Sequence, residues 1–99
     1  MLMPRSSRWT FVTNHAVVLL QVWRNPNLTV REIAESVGIT ERAVHRILTD
    51  LSRASYILRK RVGRRSQYSV STDRPLRHPL FERMSVIRLL TALDPAAEG

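Results

Sequence analysis

Basic side chains are concentrated in one part of this sequence. Residues 40–65 carry eight Lys and Arg residues against two Asp and Glu residues, so a net charge of +6 lies there out of +8 for all 99 residues. A guanidinium group can donate two hydrogen bonds at once to a phosphate or to the edge of a guanine. Such a concentration of charge is typical of a surface that binds a polyanion, above all nucleic acid.

The sequence offers little for catalysis or metal binding. No nucleophile stands beside a base at a recognised spacing, and with three glycines in the chain there is no glycine-rich phosphate loop. There is no cysteine, and His15, His45 and His78 lie on separate predicted elements without carboxylates at ligand spacing. We therefore expect no enzymatic activity, no metal and no cofactor.

Two short predicted helices, joined by a turn that contains glycine, position the first part of the basic segment. Thr29 and Glu32 have the spacing of a capping box, and Gly38 stands where a left-handed residue ends a helix. Thr40 then caps a further helix with a single apolar stripe. Its members are Val44, Ile47, Leu48, Leu51 and Ala54. This order of elements predicts a helix-turn-helix unit.

The face of the second of these helices that remains exposed is the predicted recognition surface. The recognition helix of a helix-turn-helix unit enters the major groove of DNA, and its N-terminal residues reach the base edges. Arg42 and Arg46 lie one turn apart and are the main candidates for base or phosphate contacts. The predicted DNA-binding residues of this helix are Thr40, Arg42, Ala43, His45, Arg46 and Thr49.

A strand-like pattern follows this helix and predicts a β-hairpin, or wing. Residues 56–62 and 67–70 have the strand-like residue types, and the turn between them carries Arg64 and Arg65. We expect the turn to enter a flanking minor groove. Neighbours on a strand point to opposite faces, so among the basic residues before the turn we favour Arg61, which is nearest the tip. The predicted wing contacts are Arg61, Arg64, Arg65 and Gln67.

The remainder of the chain predicts one helix on either side of this unit. A first helix is capped by Thr13 or Asn14 and ends before Pro26. We predict a flexible tail at residues 1–12, the winged domain at 13–72, a connector at 73–79 and a C-terminal helix at 80–94. The predicted fold is mainly α: a winged helix-turn-helix with a three-helix core, a two-stranded β wing and an additional C-terminal helix.

Two apolar groups have alternative interpretations. Trp9, Phe11 and Trp23 could line a ligand pocket, but aromatic residues beside apolar helices belong to the core far more often. The C-terminal helix could simply cover the core. Its second apolar edge, however, suits a partner helix and favours a homodimer. That edge consists of Leu89, Leu90 and Leu93.

Several of these segments together resemble winged-helix regulators of the MarR and ArsR type. The resemblance covers roughly residues 14–70, and it is closest to short actinobacterial members, with further likeness at residues 13–15 and 77–80. It implies transcriptional regulation through double-stranded DNA. The chain lacks the long flanking dimerisation helices of full MarR proteins and the cysteine ligands of metal-sensing ArsR proteins, so no effector follows from it. Its motifs are Leu28-Thr29-Val30-Arg31-Glu32-Ile33-Ala34, Val37-Gly38-Ile39-Thr40-Glu41-Arg42-Ala43-Val44-His45-Arg46-Ile47-Leu48 and Arg61-Val62-Gly63-Arg64-Arg65.

The sequence thus predicts a sequence-specific transcriptional regulator that binds duplex DNA in the cytoplasm, associated with the nucleoid. The longest apolar run, residues 16–20, is far below the roughly 20 residues that a membrane span needs, so no membrane partner is expected. The alternative is a winged-helix module that binds a protein or acts architecturally without sequence preference. A weaker alternative is the binding of structured RNA.

Overall fold

The computed structural model describes residues 9–98, so most of the predicted tail at 1–12 lies outside the described residues. Three helices are followed by a hairpin and a fourth helix, with short 3-10 turns at Pro79–Phe81 and Pro95–Glu98. The predicted winged helix-turn-helix architecture with an additional C-terminal helix is confirmed. Its elements are α1 (Asn14–Arg24), α2 (Val30–Val37), α3 (Glu41–Arg53), β1 (Ile57–Val62), β2 (Arg65–Val70) and α4 (Val86–Leu93).

The helix boundaries follow the local capping signals. The Thr13 hydroxyl accepts a hydrogen bond from the amide of Ala16 at the start of α1. At α2 the capping box is complete: the Glu32 amide donates to Thr29 Oγ1 at 3.1 Å, and the Thr29 amide donates to Glu32 Oε1 at 2.9 Å. Gly38 ends α2 with φ +81°, the left-handed conformation that favours glycine.

The core lies between α1, α2 and α3, and α4 and the base of the hairpin complete it. The largest fully buried side chains come from four different helices. This arrangement holds α3 by one face and leaves its opposite face to solvent. These buried side chains are Val18, Val22, Ile33, Val44 and Leu90.

The hairpin is antiparallel, with Ile57 opposite Val70 and Val62 opposite Arg65. The connection contains only Gly63 and Arg64, so the predicted longer turn is wrong: Arg65 already belongs to β2. Gly63 has φ +63°, at the position where a two-residue hairpin turn of type II′ needs glycine. The shorter turn fixes which side chains of the hairpin share a face.

The C-terminal helix begins at Val86, and its predicted start at residue 80 is wrong. The backbone just before it pairs with the connector: the amide of Leu76 donates to the carbonyl of Met84, and that of Val86 to the carbonyl of Arg74. A backbone engaged in these bonds cannot continue a helix. Leu80, the first residue of the predicted helix, is 79% exposed.

The predicted second apolar edge of this helix is also corrected. Leu90 is fully buried and Leu93 packs against the core, so α4 covers the winged domain with two of the three side chains of that edge. Leu89, the third, is half-buried. An ion pair between Arg24 and Asp94, at 3.1 Å, ties the end of α4 to α1. The prediction that aromatic residues belong to the core holds for Trp23 alone, because Trp9 and Phe11 are exposed.

Candidate nucleic-acid interface

The exposed face of α3 begins at a capped N-terminus. The hydroxyl of Thr40 accepts a hydrogen bond from the amide of Ala43 at 3.0 Å, so this hydroxyl already has a structural partner. Arg42 and Arg46 are exposed, as predicted. Ala43, predicted to lie on the exposed face, is half-buried. The two arginines form no ion pair with a carboxylate among residues 9–98 and are therefore available to an anion from outside.

A groove of about 400 Å³ separates α3 from the hairpin. His45, Thr49 and Ser52 of α3 form one wall, and the hairpin forms the other with Arg59, Arg64, Arg65 and Ser66. The loop before α2 closes one end with Asn27 and Thr29. The structure thus brings predicted residues of the recognition helix and of the wing to the two sides of one groove.

The charge of this groove is of one sign. Three arginines line it, and no Asp or Glu does. Its floor contains the apolar side chains of Leu28, Val30, Leu48 and Tyr68. Because no charged side chain of the described residues is buried, these charges face solvent and attract anions in a salt-dependent manner.

Arg65 differs from its neighbours because it lies near Glu32. The pKa of the Glu32 carboxyl is lowered, mainly by hydrogen bonds from the backbone and side chain of Thr29, with a smaller contribution from the positive charge of Arg65. The ionised carboxylate at the N-terminus of α2 also suits the helix dipole.

Two predicted wing residues lie outside the groove. Arg61 is exposed on β1 opposite Ser66, further toward the tip. Gln67 is half-buried, and its Nε2 donates to Oδ1 of Asn27 at 3.0 Å. This bond ties the hairpin to the loop between α1 and α2, so Gln67 positions the wing.

The sequence-based prediction missed Arg59 as a residue of the groove. In the strand it follows the buried Ile57 by two positions, and it lies opposite the buried Tyr68. Side chains two apart on a strand share a face. The alternation from Ile57 was therefore the signal that places Arg59, and not Lys60, on the side of α3.

The histidines do not converge. His15 and Asp50 form a pair at 2.9 Å that links α1 to α3, whereas His45 lines the groove and His78 caps the turn at Pro79–Phe81. Nowhere in residues 9–98 do three His, Cys, Asp or Glu side chains form a group able to hold a metal ion. In the same part of the chain, no helix has the length and apolar character needed to cross a bilayer.

Comparison with known proteins places this architecture in a recognised class. Residues 17–57, from α1 to the start of β1, match the model of the winged helix-turn-helix DNA-binding family. No curated protein sequence matches the chain. Two solved structures of bacterial regulators are similar in fold.

The first is MepR, a transcription regulator of the Staphylococcus aureus multidrug efflux pump MepA. The TM-score is 0.58 with 21% identity, and the match covers 82% of this chain and 53% of MepR. The second is Lactococcus lactis ZitR, solved in complex with DNA, with a TM-score of 0.50 and 20% identity over 72% of this chain and 51% of ZitR. The chain spans about half the length of each regulator. The predicted resemblance to winged-helix regulators is confirmed for the fold.

Proposed function

We propose that this winged helix-turn-helix chain binds double-stranded DNA and regulates transcription. The observation that carries the proposal is the juxtaposition of an exposed, basic recognition helix with a basic hairpin around a groove that no acidic side chain lines. The match to the winged helix-turn-helix DNA-binding family supports it independently. The proposed function is the binding of DNA and includes no catalytic step.

The proposed division of roles follows from the position of each residue. Arg42, His45, Arg46 and Thr49 of α3 lie in the major groove and supply sequence preference, because base edges are read there. Arg64 and Arg65 lie on the flanking minor groove or the phosphate backbone, with Arg61 further along the same hairpin. Release of counterions by these arginines sets the affinity and makes it depend on salt.

We further propose that two copies bind together in the cytoplasm, where the nucleoid lies. Two recognition helices related by a two-fold axis read half-sites about one DNA turn apart, which raises affinity without new contacts in either copy. Because α4 uses Leu90 in its own core, the second copy has to use other apolar side chains. Trp9, Phe11 and Leu80 are the most exposed large apolar side chains of the described residues, at 69%, 93% and 79%.

The proposal is tested by titrating the purified chain against a labelled mixed-sequence DNA duplex at several salt concentrations. We expect the chain to bind the duplex. The logarithm of the association constant should fall linearly with the logarithm of the salt concentration, with a slope of about −0.9 for each phosphate contacted. An unlabelled RNA duplex of the same sequence serves as competitor. If RNA competes better than DNA, the chain is an RNA-binding protein, and if neither duplex binds, the fold serves a protein partner.

The oligomeric state is measured by light scattering on the free chain and on its complex with DNA. A mass of two chains per duplex is the expected result for the complex. One chain per duplex at saturation would contradict the proposed pair and leave the DNA-binding proposal intact.

A further inference from the structure

Among the described residues, Arg59 is the arginine of the groove whose side chain is oriented by a hydrogen bond to another side chain. Its Nε donates to Oγ of Ser66 on the neighbouring strand at 3.0 Å. The two residues are diagonal neighbours on one face of the hairpin, where Arg59 pairs with Tyr68 and Ser66 with Arg61. A long side chain that is already held in one place loses less conformational freedom when it binds a ligand.

The hydrogen bond uses only part of what Arg59 can donate. A guanidinium has five N–H groups, so four remain on its two terminal nitrogens after the bond to Ser66. No carboxylate of residues 9–98 forms an ion pair with Arg59. Arg65 forms no ion pair there either, but its positive charge contributes to the lowered pKa of the Glu32 carboxyl. Within the groove, Arg59 is thus both oriented and free of a charged partner.

The surroundings of Arg59 match the chemistry of a sugar-phosphate backbone. Thr29, Thr49 and Ser52 contribute hydroxyl groups to the same groove, and such side chains commonly contact phosphate oxygens. The apolar floor, which includes Leu48 and Tyr68, offers a surface for the carbon face of a deoxyribose. Both walls belong to elements that the core and the Gln67–Asn27 bond hold in place.

We infer that the groove between α3 and the hairpin holds the backbone of one DNA strand, with Arg59 as the main phosphate ligand and Ser66 as its positioning residue. This inference rests on the proposed function and deepens it. It assigns the strongest backbone contact to the base of the wing, while the arginines predicted from the sequence lie at its tip. Because a phosphate is present at every nucleotide, the contact does not depend on sequence.

The test compares Arg59→Ala with Arg83→Ala on a labelled mixed-sequence DNA duplex. Both substitutions remove one exposed positive charge, but Arg83 lies in the loop before α4 and does not line the groove. For Arg59→Ala we expect a loss of affinity of about tenfold, since a charge-assisted hydrogen bond is lost. The slope of the logarithm of affinity against the logarithm of salt concentration should become less negative by about 0.9, the value of one phosphate contact. Arg83→Ala should change neither quantity by as much.

Ser66→Ala separates a positioned arginine from a merely nearby charge. It keeps every charge of the protein and removes only the hydroxyl that holds Arg59. We expect it to weaken binding in the wild-type background and to have no further effect in the Arg59→Ala background, because the two residues act through one contact. Circular dichroism of each variant verifies the fold.

Equal losses for Arg59→Ala and Arg83→Ala, with wild-type binding intact, would overturn the inference and leave the proposed function standing. Additive effects of Ser66→Ala and Arg59→Ala would overturn the positioning role of Ser66. Absence of duplex binding by the wild-type chain would instead refute the proposed function and the inference with it.

Discussion

Replacement of Gly38 by alanine tests the turn that sets α2 against α3. Gly38 has φ +81°, and its amide donates to the carbonyl of Ala34 at 2.9 Å, as does that of Ile39 at 3.1 Å. A Cβ built on Gly38 meets no atom within 4 Å. Any loss of stability in Gly38→Ala therefore comes from backbone conformation, because the added methyl group causes no clash.

The size of that loss can be worked out from two opposing effects. A left-handed conformation costs an L-residue roughly 1–2 kcal/mol. The alanine also restricts the unfolded chain, which offsets about 0.4–1 kcal/mol. The expected net decrease in the free energy of unfolding is about 1 kcal/mol, or a fall in Tm of about 4–8 °C for a domain of this size.

Urea denaturation followed by circular dichroism measures this change. Gly38→Asn is the matched control, because asparagine tolerates the left-handed conformation better than alanine does. It should lose less stability than Gly38→Ala although its side chain is larger. Equal stability of Gly38→Ala and the wild type would refute the left-handed turn, and a loss above about 4 kcal/mol would mean that the turn is packed more tightly than described.

Three further predictions concern other named positions. Ser55 has φ +66° between α3 and β1, so Ser55→Gly should raise the free energy of unfolding by about 0.5–1 kcal/mol in urea denaturation, and a decrease would contradict the strain. The pKa of Glu32 is lowered in the folded protein, so its ionised carboxylate stabilises the fold at pH values above the ordinary pKa of 4.5. That stabilisation is lost as the pH falls through the pKa of the folded state. Glu32→Gln should therefore be less stable than the wild type at neutral pH, and the difference should shrink in acid. A difference that grows in acid would refute the role of the charge. Arg46→Ala should reduce discrimination between the preferred duplex and a single-base variant by about 1–3 kcal/mol, whereas Arg64→Ala should weaken binding to both duplexes alike. Equal losses on both duplexes for the two variants would contradict that division of roles.

The parts of the fold that could be predicted from the sequence are those determined by neighbouring residues. Thr29 and Glu32 are three residues apart, and each satisfies the other's backbone, so their pattern alone identifies the start of α2. The same holds for Gly38, whose left-handed conformation depends on the end of a single helix. The apolar stripe of α3 was readable because one helix face meets one core.

Features that join distant segments could not be read in this way. The start of α4 is set by pairing of Ser85 with Pro75 in the connector, and the apolar period of residues 80–93 contains no trace of that pairing. The bond from Gln67 to Asn27 spans 40 positions, and no local pattern indicates that Gln67 supports the wing. For Arg59 the strand alternation from the buried Ile57 does carry a signal, whereas nearness to the tip, as for Arg61, does not place a side chain in the groove.

The most direct test of the account is the selection of bound duplexes from a random DNA library at about 150 mM salt, where non-specific contacts are weakened. We expect an enriched palindrome whose half-sites lie about one DNA turn apart, since two recognition helices would read them together. Retention of duplexes without any enriched sequence would contradict sequence-specific regulation. The protein would then bind only the sugar-phosphate backbone of the DNA.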